Sequence, residues 1–183
     1  MRAVTKALCA CAVLPFAAAA DAALADARTK IRALAPEADT YVTAADPDRN
    51  YGRARVLRAD GSPQATAYLR FRLKAKDRSI IGATLLLHAQ TANRTGFAVR
   101  RVPSNNWQER ELTFATAPKP SLRYASSKPV RRGAWSAVDV TAFVADVEEA
   151  ITLAVTTRSS DGVAFRSRES RHRPTLVIRT VKE

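Results

Sequence analysis

Residues 68–73 read YLRFRL, a run in which large apolar side chains alternate with arginine and tyrosine. Successive side chains of a strand point to opposite faces. Leu69, Phe71 and Leu73 therefore share one side, and Tyr68, Arg70 and Arg72 share the other. The same period of two recurs along the chain. It predicts strands at 40–43, 55–59, 80–88, 97–102, 134–140, 151–156, 163–168 and 175–181, and a short element at 112–114. Turn-forming residues separate these runs: Pro47, Asp48, Asn50 and Gly52 in one place, Asp60-Gly61-Ser62-Pro63 in another. Only 141–149 reads as a helical turn or loop, with Thr141 at an N-cap position. Many short strands with almost no helical period predict an all-β fold, a jelly-roll β-sandwich.

The first 25 residues follow a different pattern. Arg2 and Lys6 precede an apolar, uncharged run over 7–20, and small residues follow at Ala18-Ala19-Ala20 and Ala23-Leu24-Ala25. This is the layout of a secretory signal peptide. The run is too short to span a bilayer as a helix, and Pro15 interrupts it. The expectation is a secreted, periplasmic or extracellular protein whose mature chain has no transmembrane segment. Both cysteines, Cys9 and Cys11, fall in this leader. The mature chain would then have no disulfide, so a packed core must supply its stability. Residues 26–36 read as a linker and 37–183 as one domain.

Charge narrows the partner. The formal net charge is +13, and it is +12 without residues 1–25. Arginine outnumbers lysine, and its planar fork matches carboxylate, sulfate and phosphate groups. An anionic partner follows. For an exported protein that means acidic polysaccharide or a membrane surface. No recognition helix or RNA-binding motif is visible, so no nucleic-acid partner is expected.

Several residue groups carry candidate chemistry. Arg70 and Arg72 face outward with Tyr68, and Arg100, Arg166 and Arg168 lie on other predicted strands. If those strands are neighbours, their guanidinium groups form a patch able to grip repeating uronate carboxylates. The bland alternative is a solvated face that keeps strands from aggregating. Trp107, in the polar stretch 104–109, suits stacking on a sugar ring or anchoring a loop. Trp135 reads as core. His88, His172 and the pair Glu109 and Glu111 show no spacing that supports acid–base catalysis, so no enzyme is expected. No cofactor is called for. Asp39, Asp46, Asp48, Asp60 and Asp139 offer oxygen ligands for a structural calcium, but no EF-hand-like spacing is present.

A set of short stretches, in order, also resembles carbohydrate-binding module family 96, the DNRLRE-type domains. They are Ala38-Asp39-Thr40-Tyr41-Val42, Asn50-Tyr51-Gly52, Tyr68-Leu69-Arg70-Phe71, Ala83-Thr84-Leu85, Val99-Arg100-Arg101-Val102 and Trp107-Gln108-Glu109. Leu112-Thr113-Phe114, Ala117-Pro118, Asp139-Val140-Thr141, Phe165-Arg166-Ser167-Arg168-Glu169 and Pro174-Thr175-Leu176 complete the series. The resemblance implies a jelly-roll β-sandwich in exported proteins and non-catalytic binding of polysaccharide, alginate being the best-known ligand class. One position departs from it: Arg72 stands where the family usually has an acid. The combined expectation is an exported, non-catalytic module binding acidic, alginate-like uronate polymers. Tyr68, Arg70, Arg72, Arg100, Trp107, Arg166 and Arg168 are its expected ligand-binding residues. The alternatives are a structural or adhesion protein of the cell surface and a small polysaccharide lyase.

Overall fold

The computed structural model describes residues 29–74 and 78–182, so the expected leader lies outside the described residues. The strands are β1 Thr29–Leu34, β2 Ala38–Thr43, β3 Val56–Gly61, β4 Gln64–Arg72, β5 Arg78–His88, β6 Ala98–Val102, β7 Tyr124–Ser126, β8 Trp135–Asp139, β9 Ala150–Thr156, β10 Val163–Arg166 and β11 Thr175–Lys182. One helical turn, α1 Thr141–Val144, follows β8. All pairings are antiparallel, in two sheets. The smaller has the order β1-β11-β5-β8. The larger runs β10-β3-β4-β9-β6-β7, with β2 also paired to β4. The molecule is a β-sandwich.

The alternation in β4 has the expected inward half. Leu69, Phe71 and Leu73 are completely buried. They meet Leu85 and Leu87 of β5, Leu153 of β9, Phe165 of β10 and Ile178 of β11 in one core between the sheets. Alternate residues of each strand reach this core because each sheet buries one face against the other.

The outward half is different. Tyr68 is as buried as the core, in a second apolar cluster with Ala38, Val42, Val102, Trp107, Leu112 and Ala154. The connection between β6 and β7 folds back over the outer face of the larger sheet and inserts Trp107 and Leu112 there. A basic, aromatic strand face is therefore partly a second interior.

Three smaller expectations change. The stretch expected to be a linker carries β1, an edge strand paired in register with β11 from Thr29–Val181 to Leu34–Leu176. Residues 112–114 form no strand, since they belong to the covering connection. Trp135 is about half exposed rather than core, because Val138 is the β8 residue that faces inward and Trp135 lies on the opposite side.

Phe71 fixes the centre of the main core. Phe71→Ala should cost about 3–5 kcal/mol, the usual cost of removing a buried phenyl group. Urea unfolding checks it, and a loss below about 1 kcal/mol would mean that β4 does not carry the core.

Candidate functional site

The outer face of the larger sheet divides into two parts, and the connection between β6 and β7 makes the division. Over one half it is clamped down. The indole N–H of Trp107 donates to Thr152 Oγ1 at 3.0 Å, and Thr152 Oγ1 in turn donates to Asn105 Oδ1 at 2.8 Å. The Arg70 guanidinium lies over the Trp107 ring at 5.0 Å and donates to the carbonyl oxygens of Asn105 and Trp107. Asn50 Nδ2 donates to the carbonyls of Glu109 and Leu112. Gly52 is needed beside it: a Cβ there would lie 2.0 Å from the Glu109 carbonyl oxygen. The Asn50-Tyr51-Gly52 motif is thus a seat for the connection.

Arginines and acids seal this half. Glu37 accepts from Arg70 Nε at 2.7 Å and from Arg72 Nε at 2.9 Å. Burial works to raise the Glu37 pKa, but the hydrogen bonds and charges of Arg72 and Arg70 outweigh it and hold the carboxyl below its ordinary value. Arg168 reaches Glu109 at 2.9 Å and Glu169 at 3.1 Å, and donates to the Glu37 carbonyl. Asp39 gives its backbone N–H to Glu109 Oε1 and accepts from the Arg168 backbone N–H at Oδ2. Three arginines expected to grip a ligand are therefore turned toward acids of the same chain. Arg70 and Arg168 are substantially occupied there, while Arg72 stays largely exposed. Trp107 and Tyr68 are buried, so neither ring offers a face to a sugar. The Tyr68 hydroxyl donates to the Pro118 carbonyl, and burial pushes its pKa up to about 12.

Carboxylate oxygens of Asp39, Glu109 and Glu169 lie within 4.8 Å of one another, the one group of metal-ligand type among the described residues. Of the aspartates expected as calcium ligands, only Asp39 belongs to it. The Arg168 guanidinium already pairs with the other two members. Asp39 Oδ1 is buried without a hydrogen-bond partner.

Over the other half the connection borders an open groove of about 910 Å³. Its floor is the outward row of four strands: Thr66 of β4, Thr156 of β9, Ala98 of β6 and Ser126 of β7, aligned by the ladder registers. Residues 114–122 form one wall. Three cations line it, Arg100, Lys119 and Arg158, and no carboxylate does among the described residues. Arg100 is held in place by the Ser121 and Leu122 carbonyls and by Thr156 Oγ1. Its guanidinium lies 4.9 Å from the centre of the Tyr124 ring, which is 55% exposed. Lys119 and Arg158 are exposed and make no ion pair among the described residues.

Of the residues expected at the site, Arg100 and Tyr68 thus border the groove. Arg70, Arg72, Arg168 and Trp107 form the clamp beside it. Arg166, on β10, is exposed and belongs to neither. Lys119 and Arg158 carried no sequence signal, because they sit in connections where alternation does not apply.

The match to known families decides the class. The model of carbohydrate-binding module family 96 matches residues 30–180. The chain belongs to that family. It is therefore a carbohydrate-binding module. No curated protein matches it. Among solved structures, the enzymatically active domain of tailspike protein 4 of bacteriophage CBA120 aligns with 10% identity and a TM-score of 0.27. The alignment covers 84% of this chain and 19% of that one, so the chain spans about a fifth of that protein's length.

The clamp titrates. Burial, and next to it the charges of Glu169 and Glu109, push the Asp39 pKa up to about 8 from 3.8, against the pull of Arg168. The folded protein then keeps a proton that the unfolded chain releases near pH 3.8. Stability from this group is complete below that pH and is lost as pH rises toward 8. Asp39→Asn keeps an oxygen acceptor without the charge. It should raise the melting temperature at about pH 8 and change it little at about pH 4. An equal or larger loss at the higher pH would contradict a protonated Asp39.

Proposed function

We propose that this family 96 module binds acidic polysaccharide, of the alginate-like uronate class, in the groove on the outer face of its larger sheet, and does so without cleaving it. One observation carries the reading: three cationic side chains line the groove and, among the described residues, no carboxylate does. A uronate polymer presents one carboxylate per sugar, and a row of fixed cations can engage several of them. Arg100, braced by backbone carbonyls, offers a pre-set fork. Lys119 and Arg158 offer charges with no ion-pair partner among the described residues. Tyr124 exposes ring surface to a pyranose ring, and aromatic faces give large contact at small ordering cost. The volume suits a short oligosaccharide segment, since ligand clefts are commonly about 300–1,000 Å³. Hydroxyls of Thr66, Thr156 and Ser126 on the floor can exchange hydrogen bonds with sugar hydroxyls.

This reading moves the carboxylate contacts away from Arg70, Arg72 and Arg168. Their intramolecular acids already supply the charge that a ligand would bring. Arg100 keeps its expected role.

The chemistry of the groove favours binding over cleavage. Glycoside hydrolysis ordinarily uses two carboxyl groups across the bond, and none lines the groove among the described residues. Elimination from a uronate needs a base, and the Tyr68 hydroxyl is buried, occupied and hard to ionise. The leader-like start of the chain supports a place of action outside the cytoplasm, where such polymers occur.

Replacing Lys119 and Arg158 together by serine should weaken binding of an alginate oligosaccharide roughly tenfold, because each exposed charge contact contributes up to about 1 kcal/mol. Parent binding should also fall between about 50 mM and about 500 mM salt. Arg72→Ser should bind like the parent. Calorimetric titration tests all three. Undiminished binding by the double variant would overturn the groove assignment, and unsaturated products absorbing in the ultraviolet would overturn the non-catalytic reading.

A further inference from the structure

The opposite side of the sandwich carries a second cluster, which the groove does not involve. β8 pairs with the end of β5 so that Trp135 sits beside His88. The next residue, Ala89, bridges Phe165 in antiparallel fashion and sets Arg166 opposite His88. His172, from the connection before β11, stacks on His88 with ring centres 4.4 Å apart. Trp135 stands edge-on to both imidazoles, at 5.2 Å and 6.2 Å. The indole is thus held in a fixed orientation while 49% of the residue stays exposed.

Five arginines lie next to this aromatic cluster in the ladder or in the sequence. Arg166 lies across from it, Arg131 and Arg132 sit in the turn leading into Trp135, and Arg171 and Arg173 flank His172. All five are exposed, and none makes a side-chain hydrogen bond or ion pair among the described residues. This contrasts with Arg70 and Arg168, whose charge is spent inside the fold. Two acids near the cluster in the sequence or the ladder have partners of their own. Glu169 accepts from Ser167 and Arg168, and Asp139, four residues along β8 from Trp135, accepts from the Thr141 backbone N–H. Leu86, Ala137, Thr84 and Thr175 continue the face away from Trp135, mixing apolar and hydroxyl side chains on a sheet surface.

We propose that this end of the smaller sheet's outer face is a second binding surface, on which an acidic glycan stacks a sugar ring on Trp135 and places carboxylate or sulfate groups against the surrounding arginines. The features point to a glycan rather than a bilayer. A fixed aromatic plane on a sheet with interspersed hydroxyls matches a pyranose face, whereas membrane insertion needs protruding apolar side chains. Groove and Trp135 surface lie on opposite outer faces, so both can be filled at once. If the groove reading holds, one copy of the chain joins two polymer strands, and linked sites raise avidity without new contacts.

Intrinsic fluorescence separates the two surfaces, because Trp107 is buried and Trp135 is exposed. Adding an alginate hexasaccharide should shift and quench the emission of the full chain. The change should persist in the Lys119→Ser, Arg158→Ser double variant and vanish in Trp135→Phe. Replacing Arg131, Arg132 and Arg166 by serine should leave Trp135 in place and weaken the fluorescence titration at least tenfold. Calorimetry should give two hexasaccharides per parent chain and one for either the groove or the Trp135 variant. One site lost only in the groove variant, with no fluorescence change, would overturn the second surface and leave the groove reading intact. One site lost only with Trp135 would support the second surface and overturn the groove reading. Trp135-dependent binding to phosphatidylglycerol vesicles, with no response to hexasaccharide, would overturn the proposal in favour of a membrane partner.

Discussion

The carboxylate of Glu109 holds the connection between β6 and β7 to the sheet, and the shape of the binding face depends on that hold. One of its oxygens accepts the backbone N–H of Asp39 on β2, and the carboxylate also meets the guanidinium of Arg168. Its backbone carbonyl receives Asn50. Three separate parts of the chain thus converge on one residue of an otherwise irregular segment. Fixing a long connection costs conformational entropy, and this set of charge-assisted hydrogen bonds offsets part of that cost. The burial of Trp107 and Leu112 supplies the rest of the driving force.

Once the connection is fixed, the larger sheet's outer face acquires two environments. Under Trp107 it is a second core, where burial raises the pKa of the Tyr68 hydroxyl and of the Asp39 carboxyl. Beyond Leu112 the segment keeps Phe114 and Ala117 against this cluster and then borders a groove whose floor is made by the remaining strand residues. The same sheet therefore supplies stability at one end and a binding surface at the other. Positive charge is sorted along with it. Arginines near the clamp have internal acids, and cations around the groove and around Trp135 pair with none among the described residues.

Strand periodicity made most of the sandwich legible in the sequence. Leu69, Phe71 and Leu73 could be placed inside because a period of two leaves a strand no other choice once one face is buried. What periodicity cannot report is whether the opposite face meets water. Tyr68 and Arg70 alternate outward as read, yet a segment some 35 residues later covers them. Trp107 itself gave the hint, since a large apolar side chain in a polar loop needs somewhere to go. Trp135 is the reverse case: an indole on a strand read as core, with Val138 taking the inward place. Lys119 and Arg158 lie in connections, and their convergence with Arg100 is a product of topology that no local pattern encodes. Residues 29–34 lacked an apolar stripe because β1 is an edge strand whose exposed positions, Ile31 among them, are not purely polar.

The central claim is that unneutralised cations at the groove, rather than the internally paired arginines of the clamp, meet the acidic glycan. Mapping amide chemical shifts of the isotope-labelled chain during titration with an alginate oligosaccharide tests this most directly. The largest changes should fall on Ala98 and Arg100, on 119–124 and on 156–159, with Glu37, Arg70 and Glu109 unmoved. Changes centred on Arg70, Arg72 and Arg168 with a silent groove would contradict it.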